Sequence, residues 1–228
     1  MNVGAVVGPS SWDLFASSLW PLVRGALRGT IPLALVSFAI GLALALVLAL
    51  MRLSANRWAA GLARTYISLV RGTPLLVQLF VIFYGLPSIG VTIDPWPSAV
   101  VAFSINVGGY AAEVIRAAIL SVPKGQWEAA YMIGMSRRRA LARIILPQAA
   151  RVSVPPLSNT FISLVKDTSL ASLILVTELF REAQQVAAFS RDFMLLYLEA
   201  ALVYWVICLA LSFVQGLLET RLDRYVAR

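Results

Sequence analysis

Apolar runs alternate with short polar breaks along nearly the whole chain, and the lengths of those runs predict membrane-spanning helices. A helix needs about 20 residues to cross the hydrocarbon of a bilayer. Residues 29–51 carry no charge and are rich in Leu and Ala, which makes them the clearest span. Residues 72–93 are also uncharged, with a span predicted over about 67–86. A third runs from 95 to 112 and on past Glu113. A fourth, 152–165, is short unless it extends through Lys166 and Asp167 into 168–176, and a fifth covers 200–218. The pattern predicts an all-α, polytopic membrane protein with five transmembrane helices. No polar stretch is long enough to build a soluble core, so residues 1–228 are expected to form a single transmembrane domain. Residues 1–19 lack the basic start and apolar centre of a cleaved signal, and residues 1–28 are expected to form an outer N-terminal segment. Trp12, Phe15, Leu19, Trp20 and Leu22 predict instead an amphipathic segment at the outer interface, where Trp is favoured.

Composition agrees with this pattern and removes several chemistries. The 228 residues are 60% hydrophobic and 13% charged, with a mean hydropathy of +0.82, far too apolar for a soluble domain of this length. The net charge of +8 is distributed as a topology signal. Arg52, Arg57 and Arg64 follow the first span, and Arg116, Lys124, Arg137, Arg138, Arg139, Arg143 and Arg151 separate the third from the fourth. Arg221, Arg224 and Arg228 follow the fifth. In a five-span layout these fall on one side, which the positive-inside rule makes cytoplasmic. The N-terminus is then outside and the C-terminus inside, and no nucleic-acid partner is expected. Histidine is absent and Cys208 is the only cysteine, which excludes an internal disulfide, imidazole-ligated haem and the common zinc sites. No GxxxxGK[ST] phosphate-binding loop occurs. Any ATP hydrolysis that drives this protein must therefore come from another polypeptide, and no metal, cofactor or catalytic residue is expected in the chain itself.

The longest break, about 121–148, contains Glu128-Ala129-Ala130, then Gly134, then Ile144-x-Leu146-Pro147. Glu128 with its two alanines can begin a short helix, its carboxylate suited to the positive end. Gly134 offers a tight turn. Pro147 predicts a stop before the chain re-enters the membrane. Either this is a plain basic connection, or it is a cytoplasmic docking surface for a second protein.

Ionisable groups at membrane depth cost about 2.5–3.5 kcal/mol each on insertion scales, so each needs a reason. Glu113 and Arg116 stand three apart and are expected to neutralise one another. Asn106 either packs among Gly108, Gly109 and Tyr110 or faces a cavity. Asn159, Ser163 and Lys166 follow i, i+4, i+7 and predict one helix face. With Asp167, that face supplies an acceptor for an ammonium and donors for a carboxylate, as a zwitterionic amino acid requires. The competing possibility is a Lys166–Asp167 neutralisation or an interfacial Lys166. Pro155-Pro156 predicts a break that frees backbone groups. Arg71-Gly72-Thr73-Pro74 marks either a helix start with Arg71 reaching water or a bent helix beside a pathway.

Several blocks together resemble the polar amino-acid branch of the bacterial ABC importer permeases. They are Arg71-Gly72-Thr73-Pro74-Leu75-Leu76-Val77-Gln78-Leu79-Phe80, Gly125-Gln126-Trp127-Glu128-Ala129-Ala130, Leu146-Pro147-Gln148-Ala149 and Ser163-Leu164-Val165-Lys166-Asp167-Thr168-Ser169-Leu170. The resemblance implies the type I importer permease fold in the bacterial inner membrane. It implies that Glu128, Ala129, Ala130 and Gly134 belong to a coupling helix seated in a cleft of an ATPase subunit. It places Gln78, Asn106, Asn159, Thr160, Ser163, Lys166 and Asp167 along the substrate pathway. The implied partners are two ATPase subunits carrying ATP and Mg, a second permease chain of the same or a similar kind, and a periplasmic binding protein. Pro155 to Ser163, Tyr84-Gly85-Leu86-Pro87 with Asp94-Pro95, and Glu178-Leu179-Phe180-Arg181 look most similar to permeases for L-cystine, with glutamine or glutamate as the alternative. Relatives that carry cationic amino acids often have an acidic residue where this chain has Thr160, which argues against arginine or lysine. Two other classes are an intramembrane enzyme using Glu113, Lys166 and Asp167, and a sensory membrane subunit. The first lacks a nucleophile–base arrangement.

Overall fold

The computed structural model describes residues 11–223, and every regular element among them is helical. Helix α1 (Ser11–Gly25) passes through one wide π-helical turn, Ala26–Thr30, into α2 (Ile31–Arg52), so 42 residues form one continuous run. The segment expected to lie apart on the outer surface is thus, from Ser11 onward, part of the first long helix; residues 1–10 lie outside the described residues. One side of it is covered by protein, while Trp12, Leu19 and Trp20 stay exposed. Leu22 and Ala26 are buried with Leu179, Ala183, Ala200 and Val203 in a small core of their own.

Helix α3 (Arg57–Gly72) starts where the Asn56 side chain accepts the N–H groups of Trp58 and Ala59 at 3.0 and 3.4 Å, an N-cap. It does not continue as the single span expected over 67–86. Thr73 and Pro74 are extended, and α4 (Leu75–Phe80) sets off at 105° to α3. The cause is local. Proline disfavours helical geometry in the residue before it and has no N–H to continue the ladder. The α4 arm continues through Val81–Gly85 to a short 3₁₀ turn, Leu86–Ile89.

Helix α5 (Pro95–Ser121) runs through the main core, with Phe103, Val107, Ala111 and Ala112 buried. It packs on α2 through that helix's small residues Ala34, Ser37, Gly41 and Ala45, the side chains that let spanning helices approach closely. Then come α6 (Lys124–Met132), α7 (Arg137–Ala140) and α8 (Leu146–Asp167). A 3₁₀ segment (Thr168–Ile174) precedes α9 (Leu179–Ser190) and α10 (Phe193–Asp223). Helix α9 is sealed at its start. Glu178 is fully buried. Its carboxylate accepts the N–H groups of Phe180 (2.9 Å) and Arg181 (2.7 Å) and the hydroxyls of Tyr204 (2.8 Å) and Thr30 (3.3 Å). One side chain thereby ties the α1–α2 junction to α9 and α10.

Prolines explain three local departures from α-helix. Each π-helical turn, Ala26–Thr30, Val81–Gly85 and Leu141–Ile145, ends two residues before a proline: Pro32, Pro87 and Pro147. The closing bonds run Ile31 to Ala26, Leu86 to Val81 and Leu146 to Leu141. Widening the turn moves the carbonyl four residues back away from the ring, so the helix bends around the proline instead of stopping. Pro147 accordingly does not halt a short helix; α7 runs through Leu141–Ile145 into α8. Pro155 and Pro156 also sit inside continuous α8, so the break expected there is absent. Arg151 and Val152, whose carbonyls lose their usual donors, are exposed residues.

Among the described residues, three helices are long and apolar enough to cross a membrane: Ser11–Arg52, Pro95–Ser121 and Phe193–Arg221. The count is five if the bent pairs Arg57–Gly72 with Leu75–Ile89 and Arg137–Ile174 with Leu179–Ser190 each make one span. The ends of α2 and α5 and the α6–α7 connection meet at one end of the bundle, which gathers Arg52, Lys124, Arg137 and Arg138. Arg224 and Arg228 lie outside the described residues.

Candidate functional site: an intramembrane polar cleft and an exposed short helix

Two features stand apart from the apolar packing. The first is α6. Its nine residues begin at Lys124, so Glu128 occupies the middle rather than the first turn, and no acidic residue favours its positive end. At about 100° per residue the helix has two sides. Trp127 is half-buried and packs on the main core, and Ala130 is 1% exposed. Glu128 and Ala129 are exposed on the other side. Ala130 therefore seats the helix on its own protein and cannot belong to an outward surface. Gly134 has φ +76°. Its N–H donates to the Tyr131 carbonyl at 2.9 Å and Met135 N–H to Ala130 at 3.0 Å, the two bonds of a Schellman C-cap.

The second feature is a cleft of about 430 Å³ where the α3–α4 bend, α5 and α8 meet. Helix α8 contributes Asn159, Thr160, Ser163 and Asp167; α5 contributes Asn106 and Tyr110; Thr73 comes from the bend. Lys166 does not line it. The lining positions of α8 form a face, 159, 160, 163, 164 and 167, and Lys166 falls beyond its edge. Lys166 is exposed, and it makes no ion pair with Asp167 within 4.0 Å. The Asp167 carboxylate thus faces the cleft without a lysine across it.

Gln78 lies behind the cleft wall and acts on the bend. Its amide nitrogen donates to the Val70 carbonyl (2.8 Å), to the Thr73 hydroxyl (2.9 Å) and to the Thr73 carbonyl (3.1 Å). Its oxygen accepts from Asn106 Nδ2 at 3.1 Å. Gln78 thereby ties together the two arms that Pro74 separates and orients Asn106. Thr160 donates its hydroxyl to the Pro156 carbonyl at 2.9 Å, and Asn159 Oδ1 accepts from Gln215 at 3.3 Å. The sequence pattern did not place a second cation beside the cleft wall. Arg71, at the end of α3, holds its guanidinium 5.5 Å from the centroid of the Tyr110 ring, a cation–π distance. The Arg71-Gly72-Thr73-Pro74 run carried that signal, since it ends α3 beside the bend and leaves Arg71 in its last turn.

Glu113 lies outside the cleft. Arg116 donates to it through Nε (3.0 Å) and Nη2 (2.8 Å), as its spacing predicts, and Arg52 Nε adds a third bond at 3.3 Å. The carboxylate joins α2 to α5.

The fold is thus a helical bundle with a polar cleft at a bent helix and a capped short helix at one end. Residues 37–224 match the model of the binding-protein-dependent transport system inner membrane component family. The chain belongs to that family and is a permease component of an ABC importer. It is 60% identical to the L-cystine transport system permease protein TcyB of Bacillus subtilis, over 95% of this chain and 93% of that one. It is 37% identical to the glutamine transport system permease protein GlnP of Escherichia coli, over 90% and 96%. A crystal structure of an amino acid ABC transporter with histidines superposes with a TM-score of 0.83 at 35% identity, covering 88% of this chain and 94% of that one. The MetNI methionine ABC transporter shares the fold, at a TM-score of 0.69 and 19% identity over 94% and 97%.

Proposed function

We propose that this permease carries L-cystine into the cytoplasm. The observation that carries the substrate assignment is the 60% identity, over 95% of the chain, to an L-cystine permease. The cleft chemistry supports it. Cystine presents an ammonium and a carboxylate at each end; Asp167 offers an acceptor for the first, and the amides of Asn106 and Asn159 with nearby Arg71 offer donors for the second. A periplasmic binding protein delivers the substrate. Two ATPase subunits carrying ATP and Mg dock on the exposed side of α6 at Glu128 and Ala129, with Gly134 fixing the turn behind them. A second chain of the same or a similar kind completes the pathway, since one such bundle is too small to enclose it. Closure of the ATPases draws the docking helices together and opens the spans outward, and hydrolysis resets them. The crowding of cations at the α6 end supports a cytoplasmic C-terminus and an outer N-terminus.

The test is uptake into proteoliposomes holding this chain, its ATPase and its binding protein, with and without internal ATP. ATP-dependent cystine uptake is expected, with arginine competing poorly because Thr160 brings no charge to the cleft. ATP-dependent uptake of glutamine or glutamate without cystine would discard the cystine assignment and keep the class. In the same assay Asp167→Asn is expected to lower uptake by about tenfold or more, the worth of one hydrogen bond to a charged group, with ATPase association unchanged. Loss of association in that variant would make Asp167 a structural residue.

A further inference from the structure

We infer that an anionic phospholipid binds in a second cleft, of about 620 Å³, between the ends of α2 and α5 and the α6–α7 connection. Its wall is two-sided. Leu50 and Leu53 from α2 and its end, and Ile119 and Leu120 from α5, form an apolar strip, with Leu120 59% exposed. Lys124, Arg137 and Arg138 line the cleft beyond that strip. No carboxylate lines the cleft, and none of the three cations has an ion-pair partner among the described residues. Arg137 is held in place by donating Nη2 to the Leu53 carbonyl at 3.4 Å.

A phosphodiester with acyl chains matches both halves of this wall. The phosphate answers the three cations, and a chain covers leucines that a soluble anion would leave in water. The position fits as well, because α2 and α5 end here at charged and polar residues, where a headgroup would sit. An acidic protein surface suits the cleft less well. It would leave the concave apolar strip unfilled, and the exposed side of α6 carrying Glu128 faces elsewhere. A lipid lodged here would brace α6 against the two longest-packed spans without touching the substrate cleft.

The full-length permease is purified in detergent with equal phosphatidylglycerol and phosphatidylcholine, and retained lipid is counted by native mass spectrometry. Wild type is expected to retain phosphatidylglycerol preferentially. The double variant Arg137→Gln/Arg138→Gln is expected to lose about tenfold or more of that preference, at roughly one surface-lipid interaction per cation. Leu120→Trp, which fills the acyl strip and keeps every cation, is expected to lose it too, whereas Arg221→Gln is expected to keep it. Circular dichroism of each variant separates loss of lipid from loss of fold. Equal retention of both lipids by wild type, or undiminished preference in the double variant, would overturn the proposal. Displacement by millimolar inorganic phosphate would show a free-anion site instead. Displacement by the ATPase subunit would assign the surface to that partner.

Discussion

Replacing Gly29 with alanine will lower the thermal stability of this permease by about 3 kcal/mol, near the upper end of what a single overpacked site costs. A Cβ at that position would collide with the Thr177 carbonyl oxygen and lie 2.6 Å from the Glu178 Cα, 2.9 Å from its Cβ. Two of these three atoms are backbone and cannot rotate away. Relief requires α9 to move off the α1–α2 junction, and that movement strains the bonds Glu178 makes to Thr30 and Tyr204. A fully buried carboxylate that loses donors is costly beyond the clash itself. Gly61 is the matched control. It lies inside α3 with nothing within 4 Å of a built Cβ, so Gly61→Ala is expected to leave stability unchanged or raise it by about 0.5–1 kcal/mol. Thermal unfolding of the two variants in detergent, followed by circular dichroism, reads opposite signs. Equal shifts would show that α9 does not sit against Gly29.

Apolar run length made the spanning helices legible because it is a property of neighbours in sequence. The span from 95 to 112 and on past Glu113, and 200–218 within α10, were readable on that basis alone. The i, i+3 spacing of Glu113 and Arg116 gave their pairing for the same reason. What the chain did not disclose depends on how helices meet. Arg52 joins Glu113 only because α2 and α5 end side by side. Lys166 looked like a partner of Asn159 on an ideal helix, yet the bend at Thr73-Pro74 and the path of α5 centre the cleft on Ser163 and Asp167. Prolines were the most misleading single residues. Their local chemistry predicts stops at Pro147 and Pro155-Pro156, but a wide turn ahead of Pro147 and packing along α8 keep both helical. Pro74 does break its helix, and there Gln78 supplies the bonds that make the broken geometry stable. Glu178 was visible only as part of a family-like run; its role as a four-donor hub needs Thr30 and Tyr204, far away in sequence.

The same reasoning divides the α6 segment, which the sequence presents as one motif, into a seat and a surface. Ala130 and Trp127 face the bundle, while Glu128 and Ala129 face outward. Glu128→Lys is therefore expected to leave folding and thermal stability intact, because the Glu128 side chain makes no hydrogen bond or ion pair among the described residues. Its effect should appear only in the assembled transporter. Reversing a charge at a protein interface replaces an attraction by a repulsion, and like-charge juxtaposition costs several kcal/mol, so ATP-driven uptake is expected to fall by about a hundredfold. Ala130→Leu should behave differently. Adding three carbons at a 1% exposed position costs about 1–3 kcal/mol of packing, and stability and uptake should fall together. Measuring unfolding and uptake on both variants thus separates docking from seating. Normal uptake in Glu128→Lys would remove the outward side of α6 from the ATPase interface. A stability loss in that variant equal to that of Ala130→Leu would show that the whole helix serves only to close the bundle end.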